Sequence, residues 1–194
     1  MRELPEDGQD PLDYHVPLES LLRRVQDFSA PVIAMIEGSV WGGACDLVFT
    51  CDILIGTYNT SFAMTPAIIG VPYNTSGLTH FIGVLGLHKV KEMFFTAQPI
   101  SAKEAYRLGV LNHLVPHDSL ETFTYELAAR ICRNSPLAIR VLKQQLRLLS
   151  MGHALDAETF EHIQTLRRTV YQSADYLEGI QAFKAKRRPA FTGH

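Results

Sequence analysis

A chain of 194 residues with 46% hydrophobic and 20% charged side chains has the composition of a folded globular protein, with room for one cored domain or a core plus a small appendage. A net charge of −2 gives no electrostatic support for nucleic-acid binding, and no apolar run reaches membrane-spanning length. The acidic start Met1-Arg2-Glu3-Leu4-Pro5-Glu6-Asp7 is unlike a secretory signal, and Cys45, Cys51 and Cys132 lack paired metal or disulfide spacing, so a reducing, cytoplasmic setting is expected.

Residues 1–16 are polar, carry Pro5, Gly8 and Pro11, and read as a loop. Pro17 suits a first helical position, and the helix that follows points Leu18, Leu21, Leu22 and Val25 inward with Arg23, Arg24 and Asp27 outward. The apolar run 32–36 is a buried strand, and Gly42-Gly43 stand where it hands over to a helix carrying Leu47, Val48 and Phe49. Residues 52–56 form a second strand and 62–64 a third. The segment from Thr65 to Asn74 is irregular yet apolar, which suits a pocket wall, because loops normally lie in water. Residues 76–97 are helical with a break at Gly83 to Gly86. Ser101 and Glu104 form a capping box for a helix that stops at Gly109, and Val110 to Val115 are extended. Four helices close the chain, over 119–133, 136–150, 156–172 and 175–186, with Pro136 opening the second and Asp156 capping the third. Two or three strands make a small parallel sheet that leaves apolar surface uncovered, so either the chain pairs with something or part of its own sheet is missing.

Few residues can carry chemistry. Gly42-Gly43 at a strand-to-helix junction is either a tight packing turn or an oxyanion site built from orphan N–H groups at the positive end of the helix. Asp46, one turn further on, is either an acid or base or a carboxylate that favours the helix dipole. Thr65 and Tyr73 flank the apolar loop with hydroxyls that either face a pocket or pack. His113 and His117 have the spacing of a metal pair, but Pro116 interrupts and the segment is extended. Lys184, Lys186, Arg187 and Arg188 complement the end of the last helix or meet a phosphate. No Gly-x-Ser-x-Gly nucleophile motif and no phosphate loop is present.

Taken as a set, four groups of residues resemble the crotonase (enoyl-CoA hydratase/isomerase) superfamily over nearly the whole chain. They are Ala34 to Ala44 with Cys51-Asp52-Ile53; Phe62 to Pro72; Pro99-Ile100-Ser101-Ala102 with Ala105 and Gly109-Val110; and Glu178 to Phe183 with Lys186-Arg187-Arg188-Pro189. The variants Gly38-Ser39-Val40-Trp41-Gly42-Gly43, Met64-Thr65-Pro66 and Gly70-Val71-Pro72-Tyr73-Asn74, with the ending from Arg167 to His194, are most similar to its decarboxylating members. The resemblance implies an α/β fold: an N-terminally truncated ClpP/crotonase-like spiral of ββα units over 1–118, then a helical trimerisation region over 119–194. It implies an acyl-CoA substrate with coenzyme A as part of that substrate and no separate cofactor, no metal, and a homotrimer or homohexamer.

It also assigns roles. Two backbone N–H groups hold the thioester oxygen, with Gly43 as the second donor beside Gly42. Thr65, Pro66 and Val71 line the acyl pocket, Tyr73 is catalytic, and Lys186 reaches the CoA phosphates, across a subunit interface. Asp46, the acid/base candidate, matches the first of the two hydratase glutamates but is one methylene shorter, and Pro66 falls where the second would be. The implied reaction is therefore decarboxylation of a methylmalonyl thioester to a propionyl thioester and CO₂, with an enoyl-CoA hydratase/isomerase or a non-catalytic crotonase-fold subunit as the alternatives. Loss of CO₂ leaves an enolate whose charge sits on the thioester oxygen, where oriented donors act on the transition state more than on the ground state. Tyr73 would orient the carboxylate, and Tyr73 or a water would protonate the enolate.

The family has more chain upstream, including the loop of the first oxyanion donor, which reads Ser-Ala-Gly, then His or Ala, then Asp. No such motif precedes Arg2-Glu3-Leu4. Lacking that donor and the first strands, the chain as written is expected to be inactive and prone to aggregate through a bare sheet edge.

Overall fold

A computed structural model describes residues 17–69, 73–150 and 157–194. The chain divides into two compact units. One runs up to Phe28 and continues from Val32 to Thr124; the other comprises Ser29–Pro31 and Tyr125–His194.

The first unit is built from ββα repeats. Helix α1 (Pro17–Asp27) leads to strands β1 (Ile33–Ile36) and β2 (Ser39–Trp41) and helix α2 (Gly43–Thr50). The repeat recurs as β3 (Ile53–Thr57), β4 (Ser61–Ala63), a 3-10 turn (Pro66–Ile69) and α3 (Thr75–Leu85). Then come α4 (Leu87–Thr96), β5 (Ile100–Ser101), α5 (Ala102–Arg107) and β6 (His113–Val115). Each repeat sends its first strand to one sheet and its second to another. The first sheet has the order β1-β3-β6, all parallel, with Ile33 opposite Ile53 and Ile55 opposite His113. The second has the order β2-β4-β5, with Trp41 opposite Ala63 in a parallel pair and Phe62 opposite Ile100 in an antiparallel one.

Short corners make this switching between sheets work. Gly38, at φ 75°, turns β1 into β2 in a conformation that suits glycine. The matching corner between β3 and β4 is held by buried Thr57 and Thr60. The Thr60 hydroxyl accepts from the Thr57 N–H and donates to the Ile36 carbonyl, both at 3.1 Å, so the two corners are tied together. Behind them Phe49 meets Phe62 and Phe81 with ring centroids 5.3 and 5.1 Å apart. Phe62, Phe81, Met64 and Met93 are the large, fully buried side chains of this core.

The described residues form six strands where the sequence suggests two or three. β2 and β5 are only three and two residues long, and β5 doubles as the approach to α5. The break in the 76–97 helix falls at Gly86, whose φ of 74° ends α3 and starts α4. The capping box is half formed: the Ser101 hydroxyl accepts from the Glu104 N–H at 3.3 Å, while the Glu104 carboxylate takes the Lys89 ammonium at 2.6 Å instead. In α1, Leu22 is buried as expected, but Leu21 is 44% exposed and Glu19 is buried in its stead. The reason is a pair of donors on another element: Asn74 Nδ2 at 2.7 Å and the Ser76 hydroxyl at 3.1 Å both reach the Glu19 carboxylate.

The second unit is helical, with most of α6 (Leu120–Ile131), then α7 (Pro136–Ser150), α8 (Ala157–Tyr171) and α9 (Ala174–Lys184). Pro136 begins α7 as expected; the Asp156 cap lies outside the described residues. Its tie is Asp175, a buried carboxylate that accepts from the N–H groups of Thr192 (2.7 Å) and Gly193 (3.0 Å) and from the Ser135 hydroxyl (3.1 Å). Burial disfavours the charge, but these donors outweigh it and hold the carboxyl below its ordinary value. Nearby, the Arg187 guanidinium pulls Glu178 down to about 2. Both groups have folded pKa values below their unfolded ones. Their stabilisation is therefore present above about pH 4 and is lost as pH falls below the ordinary carboxylate range, for Glu178 toward 2. Amide exchange at Thr192 and Gly193 is expected to quicken over that interval; exchange independent of pH there, after correction for intrinsic rates, would detach the tail from Asp175.

Candidate active site

The site forms where β2 and β4 end. Their parallel register sets Trp41 beside Ala63, so Gly42-Gly43 and Met64-Thr65 leave the same carboxyl edge of one sheet. Crevices beyond such edges are where α/β proteins bind ligands. Gly42 sits at φ 57°, ψ −131°, a conformation open to glycine alone. Its N–H is taken by the Ala63 carbonyl at 3.0 Å, and its own carbonyl accepts from the Cys45 N–H at 2.9 Å. Gly42 therefore shapes the turn and has no donor to give. Gly43 is the first residue of α2, and its N–H has no acceptor among the described residues. An orphan donor at a helix N-terminus carries the partial positive charge an oxyanion needs.

Asp46 lies one turn along α2 and is completely buried. Both of its oxygens are engaged. The Tyr73 hydroxyl donates to Oδ2 at 2.9 Å, and His80 Nδ1 meets Oδ1 at 3.2 Å. The Tyr73 ring is held edge-on by Phe81 and Phe94, at centroid distances of 6.0 and 5.5 Å. Burial, and after it the negative charge of Asp46, pushes the Tyr73 hydroxyl well above its ordinary pKa. Neighbouring Cys45 is pushed up to about 12 by burial, with Asp46 adding to it, and its thiol donates to the carbonyls of Val40 and Ala63 at 3.1 and 3.4 Å. A thiol so placed is packing and not a nucleophile.

Thr65 and Pro66 are half-buried directly after β4, with the Thr65 carbonyl accepting from Ile68 N at 3.1 Å. Val71 lies outside the described residues. Lys186 is exposed in the second unit at φ 52°, the left-handed residue that lets the Arg187 N–H bond back to the Ala182 carbonyl at 3.0 Å and so end the α9 region. The two histidines of metal-like spacing go separate ways: His113 meets Phe123 edge-on with ring centroids 4.8 Å apart, and His117 Nδ1 pairs with Glu37 at 3.0 Å. No group of metal-ligating side chains occurs among the described residues. Cavities of about 370 and 540 Å³ lie wholly in the second unit; Lys184 lines the first and Arg188 the second, and the other candidates line neither.

Sequence reasoning misses Glu19, Gln26, Gly77 and His80. One signal for two of them is there: Tyr73, Gly77 and His80 are spaced by four and three, the spacing of one helical face, and α3 packs on α2, which carries Asp46. A Cβ on Gly77 would stand 2.3 Å from Tyr73 Cε1 and 2.8 Å from Asp46 Oδ2, so this glycine makes room for the Tyr73–Asp46 bond.

The chain matches the enoyl-CoA hydratase/isomerase family over residues 3–194. It is 46% identical over 194 residues to the methylmalonyl-CoA decarboxylase of Escherichia coli (strain K12), covering 100% of this chain and 74% of that protein. Among solved structures it is similar to methylmalonyl CoA decarboxylase complexed with 2S-carboxypropyl CoA, with a TM-score of 0.76 at 47% identity, covering 100% of this chain and 74% of that one. It is also similar to an enoyl-CoA hydratase from Bacillus anthracis, with a TM-score of 0.84 at 29% identity, covering 91% and 68%.

Proposed function

The chain belongs to the enoyl-CoA hydratase/isomerase family, and from that premise we propose that it serves as an acyl-CoA thioester decarboxylase, converting a methylmalonyl thioester to a propionyl thioester and CO₂. The observation that carries this choice is the state of Asp46. Hydration needs carboxylates free to handle water, whereas this carboxylate is sealed from solvent with both oxygens bonded, and the family resemblance puts Pro66 where the second glutamate would be. The Gly43 donor, in contrast, meets no acceptor among the described residues and can turn to a substrate oxygen.

Decarboxylation asks for what remains. As the C–C bond breaks, its electron pair enters the thioester and charge grows on the carbonyl oxygen. The Gly43 N–H bonds that oxygen more strongly as the charge grows, so it lowers the barrier as well as binding the substrate. No base is required, because no proton leaves. Tyr73 commits its proton to Asp46, so toward a bound acyl group it would offer oxygen lone pairs and ring edge; with the aromatic cluster around it, such a surface favours neutral CO₂ over a carboxylate. A water then supplies the proton that the enolate takes at carbon, since the raised Tyr73 hydroxyl is a poor acid.

Coenzyme A enters and leaves with the substrate, and the reaction calls for no other cofactor. Lys186 is our candidate for the CoA phosphates, contributed by a neighbouring subunit of a homotrimer or homohexamer. Association is supported by Leu142, Leu146 and Leu149, an apolar stripe at helical spacing that α7 leaves exposed. Three free cysteines support a reducing, cytoplasmic setting. No helix among the described residues is long and apolar enough to cross a membrane.

Methylmalonyl-CoA and crotonyl-CoA offered in parallel test the proposal. CO₂ release with accumulation of propionyl-CoA is what the decarboxylase reading requires, and it would overturn the inactivity expected from the sequence alone. Faster hydration of crotonyl-CoA would move the assignment to the hydratases, and binding without turnover of either would favour the non-catalytic subunit.

A further inference from the structure

The donors around Asp46 run in one direction. Gln26 presents its amide nitrogen, Nε2, to His80 Nε2 at 2.7 Å. An amide nitrogen only donates, so this ring nitrogen accepts and the imidazole proton sits on Nδ1. Nδ1 faces Asp46 Oδ1 at 3.2 Å, and Tyr73 supplies the other oxygen at 2.9 Å. Two elements, α3 and the stretch just before it, thus converge on one carboxylate of α2, and α1 holds the α3 donor from behind. Asp46 is fully buried, whereas the His80 side chain is 26% exposed, so the imidazole stands between solvent and the carboxylate.

We propose that His80, held by Gln26, is a positioning residue: it fixes the Asp46 carboxylate and through it aims the Tyr73 hydroxyl in the acyl pocket. The inference deepens the decarboxylase proposal and rests on it for the role of Tyr73 in the pocket. Without His80, Oδ1 would lose its partner, the carboxylate would turn about its Cα–Cβ–Cγ bonds toward other donors, and the hydroxyl it holds would follow. The Tyr73 ring itself would stay, because Phe81 and Phe94 clamp it. The effect of losing His80 should therefore fall on the hydroxyl and on turnover, and little on thioester binding.

The test compares His80→Phe, which keeps a ring without a donor, with His80→Asn, whose amide N–H lies near the place of Nδ1–H. In the 194-residue chain, proton NMR reads the slowly exchanging Tyr73 hydroxyl, assigned by its loss in Tyr73→Phe, and steady-state kinetics reads methylmalonyl-CoA. His80→Phe is expected to shift or abolish the hydroxyl signal and to lower kcat roughly tenfold with KM within about twofold, the scale of one lost hydrogen bond; His80→Asn is expected to restore both. A Tyr73 signal unchanged in His80→Phe, or one that His80→Asn fails to restore, overturns the inference. Should His80→Phe fail to fold, Gln26→Leu takes its place: it must move the signal in the same direction, and an unmoved signal overturns the inference equally. A parent chain that binds thioester without turnover counts against the decarboxylase proposal, and the hydroxyl signal still decides the role of His80.

Discussion

Gly43→Pro is expected to lower methylmalonyl-CoA turnover by about 10²–10³-fold while the protein stays folded, because it removes one oxyanion donor and little else. Proline has no N–H, and the first position of a helix is where its absence is tolerated, since that N–H has no intrahelical partner and the ring presets a helical φ. Gly43 occupies that position in α2. A residue before proline is steered away from the α region, and Gly42, at ψ −131°, already lies outside it. The added Cβ would stand 2.9 Å from Leu18 Cδ2, the movable end of that side chain.

Gly43→Ala meets the same Leu18 contact but keeps the N–H, so it isolates the donor from the crowding. Its turnover should remain within roughly tenfold of the parent. The carbonyl stretch of bound propionyl-CoA gives a second measure that does not need turnover: donation at Gly43 lowers that frequency, and the shift should persist in Gly43→Ala and vanish in Gly43→Pro. Equal turnover and equal stretch in the two variants would take Gly43 out of the oxyanion site.

Features written in consecutive residues were legible in the sequence. Gly42-Gly43 after an apolar run, Pro17 and Pro136 as helix starts, and Ser101 as a cap each act within a few residues of themselves, and each is found where its chemistry places it. The resemblance supplied the fold class and directed attention to Asp46 and Tyr73. What stayed hidden depends on partners far along the chain. Nothing near Glu19 announces burial, because the donors that permit it are Asn74 and Ser76, more than fifty residues on. Asp46 reads as a helix-dipole residue until His80 and Tyr73 arrive from the next repeat. β2 and β5 are too short to show a two-residue period, so their pairing is a product of the sheet and not of their own sequence.

Gly77→Ala inverts an ordinary rule. In a helix interior the change normally stabilises by about 0.5–1 kcal/mol, through the lower entropy of the unfolded chain. Gly83, in the same helix, obeys that expectation, since a Cβ there meets nothing within 4 Å. At Gly77 the added methyl would stand 2.3 Å from Tyr73 Cε1 and 2.8 Å from both Asn74 Oδ1 and Asp46 Oδ2. None of the three can yield cheaply. The Tyr73 ring is backed by Phe81 and Phe94; Asn74 Oδ1 caps α3 through the Gly77 N–H at 2.7 Å; and Asp46 has no solvent to retreat into. Overpacking of this kind costs about 1–3 kcal/mol, and loss of the Tyr73 hydroxyl from a buried carboxylate adds about 1–3 kcal/mol. The thermal midpoint of Gly77→Ala should therefore fall by about 5 °C or more, whereas that of Gly83→Ala should rise slightly. A Gly77→Ala midpoint at or above that of Gly83→Ala would mean that Tyr73 does not lie over this glycine. A fall in the midpoint together with loss of the Tyr73 hydroxyl signal would place the support of the acyl pocket in the absence of one methyl group, since the hydroxyl reaches Asp46 only through the space that glycine leaves open.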